Sequence, residues 1–155
     1  MPSTTAHADN NRVVAFLKDL PPNHQPCPET ITSPDNIGSV DMHVHPEILQ
    51  RLWTDITASL GTECRGVLCG RPVLFDPATR RVFAFGFGTM YVVCVPPPLR
   101  PAPPDHKTVT RLANKSVIDL EYAMGIGWVF GNWSPSEIEW CRHFIQPHTT
   151  SMQSP

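Results

Sequence analysis

One stretch, residues 62–95, decides the fold of this 155-residue chain; it reads TECRGVLCGRPVLF, DPATR, RVFAFGFG and TMYVVCV in consecutive blocks. Asp76 and Pro77 begin a tight turn, because aspartate bonds its own backbone two residues on and proline fixes φ at the second turn position. Gly86 and Gly88 mark a second reversal or a bulge. The stretch therefore predicts three or four short strands joined as a meander.

The third block has the period of a strand. Phe83, Phe85 and Phe87 alternate with alanine and glycine, and successive side chains of a strand point to opposite faces. This pattern predicts one aromatic face and one close-packed face, both of which need covering by helices.

Two helices are predicted to flank the meander. Pro46 suits the first helical position and Glu47 the positive end of the dipole, with apolar residues at helical spacing until Gly61. After the meander, Ser134 and Glu137 form a capping box that opens a helix predicted to end at Pro147.

The remaining segments complete a single-domain α+β fold, an antiparallel sheet of about 4–5 strands with helices packed on it. Residues 1–9 are predicted to be a disordered N-terminus and 10–45 a short helix, capped by Asn10 or Asn11, plus a proline-rich arm. The α+β core spans 46–146, with a polyproline-like spacer at 96–104, a helical turn at 107–114 and a last strand at 125–133. Residues 147–155 are predicted to be a disordered tail.

We expect neither a membrane-spanning helix nor a disulfide framework. No apolar run reaches the roughly 18 residues of a membrane-spanning helix, and the N-terminus lacks the pattern of a secretory signal, so we expect a cytoplasmic protein. The five cysteines form no CxxC pair, and an odd count argues against a disulfide framework. Cys64, Cys69, Cys94 and Cys141 are predicted to pack as small hydrophobic residues, with a reactive thiol at Cys69 as the alternative.

The formal charge of −2 hides a basic segment, because residues 65–115 carry eight basic and two acidic side chains. These charges either face an anion or pair with acidic helices of the same chain. The candidate ligand- or anion-binding residues are Arg65, Arg71, Arg81, Arg100 and Trp128, with Arg80 beside them. We expect no nucleic-acid binding, because the chain is slightly acidic and has no helix-turn-helix, zinc-finger or RNP-like pattern.

The histidines offer two interpretations. Asp41, His43 and His45 alternate, so in a strand both rings would share a face and could hold a metal ion. Alternatively, His45 caps the helix that starts at Pro46 and His43 belongs to the entering loop. We favour the second interpretation and predict no metal and no cofactor; an amidohydrolase-type barrel, which needs roughly 250 residues, is excluded by length.

Residues 46–145 resemble the TfoX N-terminal-domain family and its small YjbR-like α+β relatives. The resemblance rests on the strand-and-glycine block 62–75, the hydrophobic hairpin 81–95, and GWVF (127–130) followed by the helix at 135–145. It implies a compact open sheet with helices packed on it and a family in which many members have regulatory or unknown roles, and it supplies no catalytic residue.

Two functions therefore stay open. The first is a non-catalytic binding or regulatory module with a protein partner, a homodimer paired through the proline-rich arm or a strand edge being one form. The second is a small enzyme or ligand carrier with a small-molecule ligand in an aromatic pocket. In that case His43, His45 or His106 would act as acid or base, and tryptophans and phenylalanines would line the pocket.

Overall fold

A computed structural model describes residues 10–18, 31–32, 44–99, 107–111 and 117–153, with side chains up to residue 145. Its α-helices are α1 (Asn10–Lys18), α2 (Pro46–Gln50), α3 (Leu120–Met124) and α4 (Ser136–Gln153). The strands are β1 (Arg65–Leu68), β2 (Arg71–Phe75), β3 (Val82–Phe87), β4 (Met90–Cys94), β5 (Val109–Arg111), β6 (Val117–Asp119) and β7 (Trp128–Phe130). Helix α2 continues as a π-helix (Arg51–Ile56) and a 3₁₀ turn (Thr57–Ser59).

The strands form one main sheet and one hairpin. The main sheet has the order β1-β2-β3-β4-β7 and is antiparallel throughout, while β5 and β6 pair only with each other. Since β2 and β3 are buried along their whole length, both faces of the sheet are covered. The predicted α+β class, with a five-stranded antiparallel sheet and helices packed on it, is confirmed.

The turn chemistry of the meander is also confirmed. The Asp76 carboxylate accepts hydrogen bonds from the backbone N–H of Ala78 at 3.0 Å and from the Thr79 hydroxyl at 3.1 Å. The second reversal lies at Gly88, whose φ is +56°. Gly86 stays inside β3, where a Cβ would come within 2.9 Å of the Ile48 and Leu52 side chains; its small size lets α2 and the π-helix approach the sheet.

The predicted single aromatic face is wrong for Phe83. A register shift opposite Leu74 and Phe75 leaves Phe83 without a partner on β2, and its ring stacks on Phe144 of α4 with centroids 5.3 Å apart. Phe85 and Phe87 instead contact Phe16 of α1. The bulge is the reason, because an extra residue in one strand re-aims its side chains.

Helix α1 docks on the sheet through Asn10 rather than being capped by it. The Asn10 side chain donates to the carbonyl of Arg80 at 2.6 Å and accepts from the N–H of Val82 at 2.9 Å. The capping role predicted for Asn10 is therefore replaced by a tertiary contact, which satisfies backbone groups at the start of β3.

Two predicted helix limits need correction. The turn predicted at 107–114 is not helical where it is described, because Val109–Arg111 is strand β5; β-branched Val109 and Thr110 favour a strand once β6 is available to pair. Helix α4 does not end at Pro147 but continues to Gln153. Proline removes one backbone hydrogen bond and can kink a helix without ending it.

The cysteines divide into two groups. Cys64, Cys94 and Cys141 are free and buried, as predicted. Cys69 is bonded in a disulfide whose other half lies outside the described residues. Cys69 is buried in the core as predicted, but it is not a free thiol, so the alternative of a reactive thiol is wrong. The odd cysteine count gave no warning of this bond.

Each edge of the main sheet has a backbone partner. Thr32 exchanges two hydrogen bonds of 3.0 and 2.8 Å with Val67 on β1. At the opposite edge, the N–H of Phe130 on β7 donates to the carbonyl of Lys107 at 2.8 Å. Thr32 from the segment before the predicted core and Lys107 from within that core thus cover part of the two edge strands.

Gly131 provides a test of the packing around β4. Its N–H donates to the Tyr91 carbonyl at 2.7 Å, and a Cβ at this position would overlap the Tyr91 ring. Gly131→Ala is expected to lower the free energy of unfolding by about 3 kcal/mol, the upper end of overpacking effects, measured by urea denaturation. Gly88→Ala is the control, since a Cβ there meets nothing and its positive φ costs only about 1 kcal/mol; equal losses in both variants would contradict this account.

Candidate functional site

The basic residues predicted to form a ligand-binding face are spread over the protein. Arg71 is buried, and Arg65 at the other end of the β1–β2 hairpin donates to the Thr57 hydroxyl at 3.4 Å. The guanidinium groups of Arg80 and Arg81 lie over the rings of Phe75 and Phe144, at 5.1 and 4.9 Å from the centroids. The structure therefore does not bring these four side chains to one exposed surface.

Trp128, the predicted stacking partner, is a core residue. It is buried on β7, with its ring centroid 5.7 Å from that of Phe85. Trp140 is buried as well, so both indoles are part of the core.

Of the histidine candidates, only His45 is described. Its Nδ1 accepts a hydrogen bond from the N–H of Glu47 at 3.1 Å, which confirms the predicted helix-capping role. Asp41, His43, Arg100 and His106 lie outside the described residues. Within the described part of the chain, no group of three His, Cys, Asp or Glu side chains could hold a metal ion.

A buried polar cluster lies where the α2–π helix, β4 and α4 meet; we call Arg51, Tyr91 and Glu137 the Arg51 cluster. The Arg51 guanidinium donates to Glu137 Oε1 at 3.0 Å and to Tyr91 Oη at 3.2 Å. The Tyr91 hydroxyl donates to the same Glu137 oxygen through a short hydrogen bond. Glu137 is completely buried, so its charge is balanced inside the protein.

Backbone groups from residues 131–135 complete the cluster. The N–H of Asn132 donates to Glu137 Oε2 at 2.8 Å, and the N–H of Trp133 donates to Tyr91 Oη at 2.8 Å. The carbonyl of Ser134 accepts from Arg51 at 2.8 Å. Since the cluster uses its polar atoms on the protein itself, it positions the chain and leaves little capacity for binding a substrate.

The predicted capping box at the start of α4 is confirmed in one half and different in the other. The Ser134 hydroxyl accepts from the N–H of Ser136 at 3.2 Å. Glu137, however, turns its carboxylate inward to Arg51 and the Asn132 N–H. A buried guanidinium is a stronger partner for a carboxylate than one backbone N–H. This explains why the Glu137 carboxylate points inward and does not cap the helix.

Burial and hydrogen bonding determine the protonation states of Arg51 and Tyr91. Burial alone would lower the pKa of Arg51, but hydrogen bonds to Tyr91 and Glu137 outweigh it and the pKa is raised. Burial raises the pKa of the Tyr91 hydroxyl, and the bond to the Glu137 carboxylate raises it further. Tyr91 therefore remains a hydrogen-bond donor at all physiological pH values.

Above this cluster, Trp133 faces a surface cleft. The residue is 47% exposed. Its ring centroid lies 5.5 Å from the Arg51 guanidinium carbon, and the ring meets the Tyr91 ring edge-on. The backbone of Trp133 has φ of +65°, a conformation that a bulky residue rarely adopts. The Arg51 cluster holds this conformation through the hydrogen bond from the Trp133 N–H.

The cleft has a volume of about 330 Å³ and is lined by Glu47, Gln50, Asp55 and Trp133. All four residues are exposed. Hydrogen bonds in a π-helix run from residue i to i+5. Asp55, and not Thr54, therefore lies one turn after Gln50 on the helix face that borders the cleft. Two carboxylates thus stand beside one exposed indole, an arrangement that suits a cation.

Sequence reasoning identified few of these residues. Arg51 carried a signal, since it is a charged residue three positions after Ile48 within the apolar stripe of the helix. Glu137 was predicted to act only at the helix terminus. Nothing in the local pattern indicates the π-helix or the positive φ of Trp133, because both depend on tertiary contacts.

The described residues contain no helix long and apolar enough to cross a membrane. No protein-family model, curated protein or solved structure matches this chain. The interpretation of the cleft therefore rests on its own geometry.

The role of the ion pair can be tested by a double-mutant cycle. Glu137→Leu leaves the Arg51 charge buried and unpaired, and is expected to cost about 3–5 kcal/mol of unfolding free energy. Arg51→Met/Glu137→Leu removes both charges and is expected to lose less than Glu137→Leu alone. Urea denaturation of the four proteins gives the coupling energy; additive losses would contradict a functioning pair.

Tyr91 makes the free energy of unfolding depend on pH in the alkaline range. Its pKa is raised in the folded state, so above pH 10 the unfolded chain releases a proton that the folded protein keeps. Its contribution is fully present below pH 10 and is lost as pH rises further, at up to about 1.4 kcal/mol per pH unit. Urea denaturation at a series of alkaline pH values is expected to show this slope reduced in Tyr91→Phe.

Tyr122→Phe is the matched control, because Tyr122 is the second of two tyrosines and is 91% exposed. It is expected to leave the slope unchanged. Cys64 and Cys141 add to the slope equally in all three proteins, since burial raises the pKa of both thiols. Equal slopes in all three proteins would rule out the role of Tyr91.

Proposed function

We propose that this protein is a non-catalytic binding module that receives a cationic side chain of a protein partner in the cleft beside Trp133. The observation that carries the proposal is the exposed indole, held in a strained backbone conformation next to the carboxylates of Glu47 and Asp55. A strained, exposed aromatic residue is costly to maintain and is typical of binding sites.

The strength of the site follows from its exposure. An exposed ion pair contributes about 0.2–1 kcal/mol, and a cation over an exposed aromatic ring about 0.5–1 kcal/mol. The cleft thus supplies less than the roughly 4 kcal/mol of a 1 mM complex. A free amine would bind too weakly, so the partner is a basic peptide segment that adds contacts outside the cleft.

The resemblance to the TfoX N-terminal-domain family, many of whose members have regulatory roles, supports such a module. The alternative, a small enzyme or ligand carrier, has less support. The aromatic rings of Phe85 and Trp128 pack in the core, His45 caps a helix, and the Arg51 cluster is satisfied internally.

Titration with an oligo-arginine peptide tests the proposal. The indole N–H resonance of Trp133 in a nitrogen-15 NMR spectrum is expected to shift with peptide concentration, while an oligo-glutamate peptide has no effect. Glu47→Gln/Asp55→Asn is expected to weaken binding about tenfold, because two ion pairs are lost without disturbing the fold.

The control is Glu63→Gln/Glu121→Gln, which removes the same charge from exposed carboxylates on other elements. This variant is expected to bind as the native protein does. Equal weakening in both double variants would show a general attraction to an acidic protein and would overturn the cleft as a specific site.

A further inference from the structure

The β5–β6 hairpin presents an exposed face with an unusual distribution of charge. Val109 pairs with Asp119 across the hairpin and Arg111 pairs with Val117. Since residues two apart on a strand and their cross-strand partners share one face, all four side chains lie together; we call them the outer hairpin face. Val109 is 46% and Val117 is 59% exposed, and Arg111 and Asp119 are exposed too.

The four residues occupy the corners of a near-square. Residues two apart on a strand are about 6.7 Å apart and neighbouring strands about 4.8 Å apart. The two valines lie on one diagonal, and Arg111 and Asp119 lie on the other. Such a face is complementary to itself about a two-fold axis that runs along the valine diagonal.

We propose that the outer hairpin face is the contact through which two copies of this chain form a homodimer. Rotation about the valine diagonal places Val109 on Val109 and Val117 on Val117 of the second copy. The same rotation brings each Arg111 opposite an Asp119, so two ion pairs flank an apolar centre. The strands of the two copies cross steeply, as in orthogonal sheet packing at about 90°.

Features of the hairpin support a second copy as the occupant. Within the described residues Arg111 makes no ion pair, so none of the described carboxylates balances its charge. Asp119 accepts the N–H of Tyr122 on Oδ1 at 3.2 Å as the cap of α3, which orients the carboxylate while Oδ2 can accept a guanidinium. A closed two-fold contact satisfies both charges at once.

The hairpin is also anchored to the rest of the fold by backbone hydrogen bonds. The carbonyl of Thr108 accepts from the Leu120 N–H at 2.7 Å, and the carbonyl of Lys107 accepts from the Phe130 N–H of the main sheet at 2.8 Å. Preorganisation lowers the entropy cost of binding. Because four residues make a smaller contact than the roughly 800 Å² per partner of a standard interface, the dimer is weak and depends on concentration.

Sedimentation velocity of the full chain over a range of concentrations tests this dimer through a charge exchange. Arg111→Asp places two acidic pairs at the contact and Asp119→Arg two basic pairs, and each is expected to raise the dissociation constant tenfold or more. In an equimolar mixture, every aspartate of one variant faces an arginine of the other. The mixture is therefore expected to form a heterodimer with a dissociation constant within about threefold of the native value.

Arg142→Asp, the same charge change on α4, is the control and is expected to leave the dimer unchanged. A native chain that stays monomeric, a dimer unaffected by either variant, or a mixture of folded variants that does not associate would each overturn the proposal. Asp119→Arg also removes the cap of α3 and is replaced, if it does not fold, by Asp119→Asn, which keeps a capping oxygen. In that case Asp119→Asn and Arg111→Asp, each as a single variant, have to weaken the dimer.

Discussion

The buried ion pair between Arg51 and Glu137 is the interaction on which the arrangement of this protein depends. It joins residues 86 positions apart in the chain and reaches β4 through the Tyr91 hydroxyl. Desolvation offsets much of the attraction in such a pair, so its effect is to select one arrangement more than to add net stability. The sheet could accept helices at several angles, but only one places the guanidinium, the carboxylate and the hydroxyl together.

The shape of the surface above the ion pair is determined by the contacts of the pair. Trp133 is exposed because the hydrogen bonds of the 131–135 segment to Tyr91, Arg51 and Glu137 hold its backbone at a positive φ. On the other side, the π-helix directs Asp55 toward the same cleft. The cleft is therefore a product of the core, and its shape follows from contacts between residues that never touch a ligand.

The sequence predicted those features that arise locally. The Asp76 turn and the helix start at Pro46 depend on neighbouring residues, and each is found where it was predicted. The bulge that re-aims Phe83, the disulfide at Cys69 and the inward turn of Glu137 depend on distant partners. For the same reason the predicted site residues were not the ones that the fold assembles: Arg71 and Trp128 are buried, whereas Arg51 and Trp133 shape the cleft.

The backbone pairings at the two sheet edges have a consequence for solubility. An open edge strand offers unpaired N–H and C=O groups to any other extended chain, which is how folded sheets begin to aggregate. Thr32 at β1 and Lys107 at β7 each occupy part of such an edge. These contacts therefore protect part of each edge from pairing with another chain, and a cut that releases Thr32 from Val67 would open the β1 edge to such pairing.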